Sequence, residues 1–301
     1  MVDVSRRFRE EEIPFREKVP GESLTTFGSG GEIDYLLLPR NAAELRFGVE
    51  ILQEEGIPYR VIGRGSNLLL PDEGYIGALI RLSKLDVVER KGRSLRVGAG
   101  VKMPLLSRMA RDFSLSGLEF ASGIPGEAGG ALSCNAGAFG ESMSDLIEEV
   151  TLLRDGRIEC LSASDLDMRD HEGRLPQGGI VLSVLLRMTE GDRDRIDAVT
   201  ADMKRRRKAS QPDFPSAGSV FRRTKEGVPA ARLIEETGLK GRRIGGAMLS
   251  EKHCNFIVNV GGATTEEYFR LGETVREEVK KMSGVTLEYE VERVVCSRTR
   301  N

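Results

Sequence analysis

The chain has 301 residues, 39% of them hydrophobic and 31% charged, with 45 Lys and Arg against 47 Asp and Glu. At roughly 150 residues per domain this length suits two or three domains, and the absence of low-complexity tracts argues against disorder. The near-balance of charge removes a global pull toward nucleic acid or anionic membrane, and two histidines without a tryptophan argue against catalysis by a histidine network.

The first eight residues carry no apolar run behind their charges, so no secretory signal is expected. No stretch reaches the roughly 18 apolar residues of a membrane span. Cys134, Cys160, Cys254 and Cys296 are widely spaced and form neither a disulfide framework nor a zinc knuckle. A cytoplasmic protein without metal is expected.

Residues 35–38 read as a short strand closed by Pro39. Asn41 with Glu44 resembles a capping box, Leu45, Val49 and Leu52 keep helical spacing, and Gly56 sits where a C-terminal cap belongs. Residues 59–62 read as a strand leading straight into Gly63-Arg64-Gly65-Ser66-Asn67, which closes a βαβ unit. A second strand at 95–97 precedes a helix with Leu105, Leu106, Met109 and Phe113 on one face. Residues 117–140 read as a glycine-dense loop. Strands at 150–154 and 157–161 flank Asp155-Gly156, a two-residue hairpin signal. Another strand is expected at 180–188, then a charged connector helix from about 192 to 208 that ends in a run of five cations at 204–208, expected to be solvated. The last third reads as a helix at 230–237, a strand at 255–260, and a helix capped by Thr264 and Glu267 with Leu271, Val275, Val279 and Met282 on one side. Gly284 ends that helix, and 285–295 alternates as a final strand. The class is α+β.

With 35 glycines the chain exceeds the roughly 7% of an average protein. Gly63-x-Gly65-Ser66-Asn67 offers backbone N–H groups without a Cβ in the way, a nest suited to an anionic oxygen, most often phosphate. The 117–140 loop has the same character. Tight turns in a strand-rich domain are the plainer reading of any one glycine. No Gly-Lys pair supplies a Walker lysine, and Leu68 stands where a Rossmann fingerprint has Gly or Ala.

Five blocks occur in order: 25–31 (Thr25-Thr26-Phe27-Gly28-Ser29-Gly30-Gly31), 63–67, Gly123-Ile124-Pro125-Gly126 running on to 135–140, 215–221 (Pro215-Ser216-Ala217-Gly218-Ser219-Val220-Phe221), and 250–259 from Ser250 to Asn259. Together they resemble the UDP-N-acetylenolpyruvoylglucosamine reductases, over about residues 24 to 295. The direct run from Arg169 to Ser219 is similar to the shorter type, which lacks an inserted tyrosine-bearing loop.

The resemblance implies FAD in a PCMH (vanillyl-alcohol-oxidase-like) fold of two subdomains, residues 1–90 and 91–195, with a C-terminal substrate domain at 196–301. It implies that Gly63, Gly65, Ser66 and Asn67 form a first FAD loop. Ser122, Gly123, Ile124, Pro125, Gly126, Gly130, Asn135, Ala136 and Gly137 would form the second. NADPH would be co-substrate for reduction of UDP-N-acetylglucosamine enolpyruvate to UDP-N-acetylmuramate, without nucleic acid, membrane or an obligate protein partner. Arg169 and Glu290 would stabilise the enolic intermediate and Ser219 would donate the proton. Strand alternation by itself places Glu288, Glu290 and Glu292 on one solvated face and does not choose among them. Met168 and His171 flank Arg169 where the family has Tyr and Ser. Phe221-Arg222-Arg223-Thr224 stands where the family has Phe-x-Lys-Asn-Pro or a close variant, and Glu292 replaces an arginine; Arg222 or Arg223 is the candidate replacement charge. The rival readings are another flavin oxidoreductase of the same fold and a non-catalytic nucleotide-sugar binding protein.

Overall fold

A computed structural model of the chain describes residues 4–169 and 172–295, the side chains of 167–169 and 172–174 excepted. The chain divides into two compact units, Met1–Arg16 with Tyr35–Arg64 and Ala78–Arg207, and Glu17–Asp34 with Gly65–Gly77 and Lys208–Asn301. Helices and strands are mixed in both, as the α+β class requires.

In the first unit, helix Ala42–Glu54 starts where its sequence says: the Asn41 side chain accepts from the Glu44 amide at 2.9 Å, satisfying one orphan donor. Leu45, Val49 and Leu52 are its buried stripe. Strand Tyr59–Ile62 then pairs in parallel with Tyr75–Arg81, which separates it from Glu32–Leu37 in the sheet. A second, antiparallel sheet runs in the order Arg157–Ser162, Ile147–Arg154, Ile180–Arg187, Ser94–Gly98, Val88–Lys91. Asp155 and Gly156 both take positive φ, the primed turn that matches strand twist, and close the hairpin at Arg154 opposite Arg157. Leu95, Val97, Val150, Leu152, Val184 and Leu186 carry the alternation into the core.

The 117–140 segment is more ordered than its glycines suggest. It holds a 3₁₀ turn, Glu119–Gly123, and a helix, Ala128–Ser133. Glycine is a poor helix former, so packing decides here: a Cβ at Gly129 would stand 2.9 Å from the Ala99 Cβ, a close approach that only glycine permits. Helix Arg193–Ser210 has Ile196 as its buried residue, in keeping with a charged connector.

In the second unit a four-stranded antiparallel sheet, Ser216–Ser219, Phe256–Asn259, Ala247–Leu249, Arg243–Ile244, shares a core with helices Ala230–Glu236 and Thr265–Ser283. The long helix has the expected capping box at Thr264 and Glu267, and Asp72 accepts from the amides of Thr265 and Glu266 at 2.8 and 2.9 Å. Gly284, at φ 74°, ends it in the left-handed conformation. Leu271, Val275 and Val279 are buried, but Met282 is 58% exposed, because the helix outruns its core in the last turn.

Residues 285–295 do not form one long strand. The segment changes partner: Arg222 donates to Glu288 and Glu290 to Val220, whereas Glu292 donates to Asn67 and Val294 to Leu69. Only Glu292–Arg293, parallel to Leu68–Leu69, is a regular strand. The alternation itself holds, with Leu287 and Val291 buried.

Candidate active site

Ser219 is the last residue of strand Ser216–Ser219, and Gly218 before it has φ 82°, a conformation that turns the chain at little steric cost only for glycine. The two residues after Ser219 are clamped by hydrogen bonds. Asn255, 6% exposed, accepts from the Phe221 amide at 3.0 Å and donates to the Phe221 carbonyl at 2.8 Å, while its own carbonyl takes the Val220 amide. The Glu290 amide donates to Val220 at 2.9 Å, and the Asn67 side chain donates to the Glu290 carbonyl at 3.2 Å. A Cβ at Gly218 would lie 3.5 Å from the Ser66 carbonyl. Ser66, Asn67, Ser219 and Glu290, expected from two separate roles, therefore converge in one unit.

Burial pushes the Glu290 carboxyl up to about 7, with Arg222 pulling against it. The expectation of a uniformly solvated glutamate face is corrected here: Glu288 and Glu292 are exposed and Glu290 is half-buried. A carboxyl near neutrality can hold a proton and donate it in a hydrogen bond, as a solvated one at neutral pH cannot. Arg223 donates to the Gly227 carbonyl at 3.3 Å.

The other expected cofactor residues, Gly65 excepted, lie in the first unit. Arg81 Nε donates to the Gly63 carbonyl at 3.2 Å. Ser122 is buried and ends the 3₁₀ turn with Gly123, and the Gly126 carbonyl accepts from the Met103 amide at 3.0 Å. Ile124 rests against the core, and Pro125 joins it to Gly126. Asn135, at φ 43°, is locked by accepting from the Ser144 amide at 2.9 Å and donating to its hydroxyl at 3.1 Å. Ala136 accepts from Met143 and Gly137 pairs with Ser142, so this loop is a folded hairpin-like turn.

Five of the six expected cofactor glycines separate into two kinds, and a Cβ on the sixth, Gly126, would make only an ordinary contact with Ile124 at 3.8 Å. Added Cβ atoms would meet the Leu24 carbonyl at 2.2 Å on Gly65, the Arg207 side chain at 2.6 Å on Gly123 and the Glu141 carbonyl at 2.5 Å on Gly137. At Gly65 and Gly137 backbone occupies the space and only glycine fits; at Gly123 the neighbour is a flexible arginine side chain. At Gly130 none of the described residues lies within 4 Å, and at Gly63 only Glu127 Oε2 does, at 3.9 Å. These two present open backbone that an extended anionic ligand such as FAD can reach, so the residues fit the cofactor.

Arg169 ends strand Asp167–Arg169, paired opposite Glu172; its side chain and the whole of His171 lie outside the described residues, as does Cys296. Cys134 is half-buried. The basic run at 204–208 is solvated except at Arg207, which is desolvated against Gly123; Arg206 stays exposed while standing over Phe139 at 4.9 Å. Two residues of the site carry no readable signal in the sequence. Asn255 lies inside the 250–259 block, where no pattern gives it a role, and a lone glutamate after Gly126, Glu127, has no periodicity or spacing to mark it.

Two family descriptions match the chain: an FAD binding domain over residues 33–162 and a UDP-N-acetylenolpyruvoylglucosamine reductase C-terminal domain over 211–294. Together with the open-backbone loops they define an FAD-dependent oxidoreductase of the PCMH type. The reductase of Geobacter metallireducens is 42% identical over 269 residues, 89% of each chain, and that of Streptococcus pneumoniae strain Hungary19A-6 is 41% identical over 284, 93% of this chain and 94% of its own. The crystal structure of the Thermus caldophilus UDP-N-acetylenolpyruvylglucosamine reductase superposes with a TM-score of 0.81 at 38% identity, covering 93% of this chain and 99% of that one. The chain belongs to the UDP-N-acetylenolpyruvoylglucosamine reductase family.

Proposed function

We propose that Arg169, Ser219 and Glu290 carry out the reaction of this family, the FAD-dependent reduction of UDP-N-acetylglucosamine enolpyruvate to UDP-N-acetylmuramate in peptidoglycan biosynthesis, with NADPH as hydride donor. The observation that carries this reading is the backbone bond from Glu290 to Val220, which sets Glu290 opposite the residue after Ser219. FAD, when bound, supplies hydride transfer to C3 of the enolpyruvyl ether. That addition places negative charge on C2 and, through conjugation, on the adjacent carboxylate. Protonated Glu290 stabilises that charge by donating a hydrogen bond, and Arg169 does so as a fixed cation. Ser219 delivers the proton to C2; its hydroxyl is a weak acid, so the developing carbanion drives the transfer.

In this reading FAD is held by Gly63, Gly65, Ser66, Asn67, Ser122, Gly123, Ile124, Pro125, Gly126, Gly130, Asn135, Ala136 and Gly137. Residues 1–90 and 91–195 serve the cofactor and 196–301 the sugar nucleotide. The reading also places the enzyme in the cytoplasm, and the described residues contain no helix long and apolar enough to cross a membrane. Mass analysis of the nucleotide sugar after incubation with the purified protein and NADPH tests the reading. A product two hydrogen atoms heavier supports it, and recovery of unchanged substrate under conditions where NADPH is consumed overturns it.

A further inference from the structure

Glu127 takes no part in the reaction above, yet it is 4% exposed. It occupies the residue before helix Ala128–Ser133 in extended conformation and makes no side-chain capping bond, so its carboxylate is not committed to the helix end. Its backbone instead bridges to Lys102, and its Oε2 lies 3.9 Å from where a Gly63 Cβ would stand. The cations that act on it electrostatically come from three other segments: Arg81 at the end of strand Tyr75–Arg81, Arg64 after strand Tyr59–Ile62, and Lys102 before helix Met103–Asp112. Arg81 is itself bonded to the Gly63 carbonyl. A buried carboxylate thus stands at one of the two open backbone surfaces of the cofactor loops.

We infer that Glu127 makes capture of the cofactor's diphosphate proton-coupled, one proton being taken up by this carboxyl as the anion settles at Gly63. The inference rests on the reading that Gly63 belongs to the cofactor loop. A dinucleotide diphosphate carries two negative charges, and a nearby carboxylate in a partly dry site opposes them. The three cations offset the carboxylate before the anion binds. A bound diphosphate competes for the same cations, and the carboxyl then holds its proton to higher pH than before. Burial already pushes the Glu127 carboxyl upward from the ordinary glutamate value, while Arg81, Arg64 and Lys102 pull it down.

Proton linkage sets the sign of the effect. Where Glu127 is protonated with and without the cofactor, affinity does not depend on pH. Between the two titration points binding takes up a proton, and the dissociation constant rises by up to tenfold per pH unit as pH increases. Above both points the dependence disappears again.

The test is titration of the flavin-free full-length chain with FAD from pH 5.5 to 9, monitored by flavin fluorescence. Calorimetry at one pH in two buffers of different ionisation heat counts the protons and needs no variant. The wild type is expected to show a rising limb in dissociation constant and close to one proton taken up within it. Glu127→Gln keeps the shape, and it is expected to bind FAD without that limb and more tightly at alkaline pH. A pH-independent wild type with no proton uptake, or a variant that keeps the wild-type limb, overturns the inference while leaving the cofactor reading intact. A chain that binds no FAD at any pH overturns the cofactor reading, and this inference with it.

Discussion

The amide of Glu290 donates to the carbonyl of Val220 at 2.9 Å, and the amide of Arg222 donates to the carbonyl of Glu288 at 3.0 Å. The two bonds fix the register of the segment after Ser219 against the segment that carries Glu290. Neither segment can slide along the other without breaking both bonds.

Ser219→Ala is expected to leave reduction of the flavin by NADPH intact and to slow the step that consumes the enolpyruvyl sugar by at least about 100-fold, the lower range for a lost proton donor. Single-turnover kinetics with each substrate separates the two steps. Unchanged turnover removes Ser219 from the mechanism.

The Glu290 carboxyl, raised by burial to about 7, gives a pH profile. If the protonated form stabilises the enolic charge, the rate of sugar reduction falls as pH rises through about 7, and Glu290→Gln loses that limb. Stability has the same sign, because an acid whose value is raised on folding favours the folded state at low pH and withdraws that support as pH climbs from 4.5 to about 7. The contribution is at most about 3 kcal/mol for a half-buried group. Denaturant unfolding of wild type and Glu290→Gln at pH 5 and pH 8 reads the difference directly.

Asn255 holds the backbone of Phe221, two residues after Ser219. Asn255→Ala removes both side-chain bonds to Phe221 and leaves two buried backbone groups unpaired, an expected cost of about 2–4 kcal/mol. Asn255→Asp keeps the acceptor for the Phe221 amide but loses the donor, and should fall between. Both are read by thermal unfolding together with the rate of the second half-reaction, which a purely structural loss at saturating substrate does not lower in the folded fraction.

Two glycines separate packing from ligand. Gly65→Ala places a Cβ 2.2 Å from the Leu24 carbonyl at φ 67° and is expected to destabilise by more than about 1 kcal/mol. Gly130→Ala meets nothing within 4 Å among the described residues and lies in helix Ala128–Ser133, so it should be neutral or stabilising by up to about 1 kcal/mol. If the open backbone is a cofactor surface, Gly130→Ala weakens FAD binding nonetheless; a stable variant with wild-type affinity removes Gly130 from that surface.

The capped helices are legible in the sequence because their signals are local: Asn41 with Glu44, Thr264 with Glu267, and Gly284 each act within a turn of the chain. The Asp155-Gly156 hairpin is legible for the same reason, and the two glycine loops show themselves by density. The features that stay hidden depend on distant partners. Helix Ala128–Ser133 carries two adjacent glycines, poor helix formers, and Gly129 packs against Ala99, far away in sequence. The 285–295 segment alternates correctly, but nothing local says that it leaves Val220 for Leu69 halfway along. Alternation likewise does not single out Glu290 among three glutamates; its burial comes from neighbours remote in sequence. Arg207 reads as one cation in a solvated run, and only the fold sets it against Gly123.

Anaerobic stopped-flow absorbance of the FAD-loaded protein follows both half-reactions in one experiment. Mixing with NADPH should bleach the flavin band, and a second mix with UDP-N-acetylglucosamine enolpyruvate should restore it with one sugar reduced per flavin. A chain that takes up no FAD, or a bleached flavin that the enolpyruvyl sugar leaves bleached, contradicts the account.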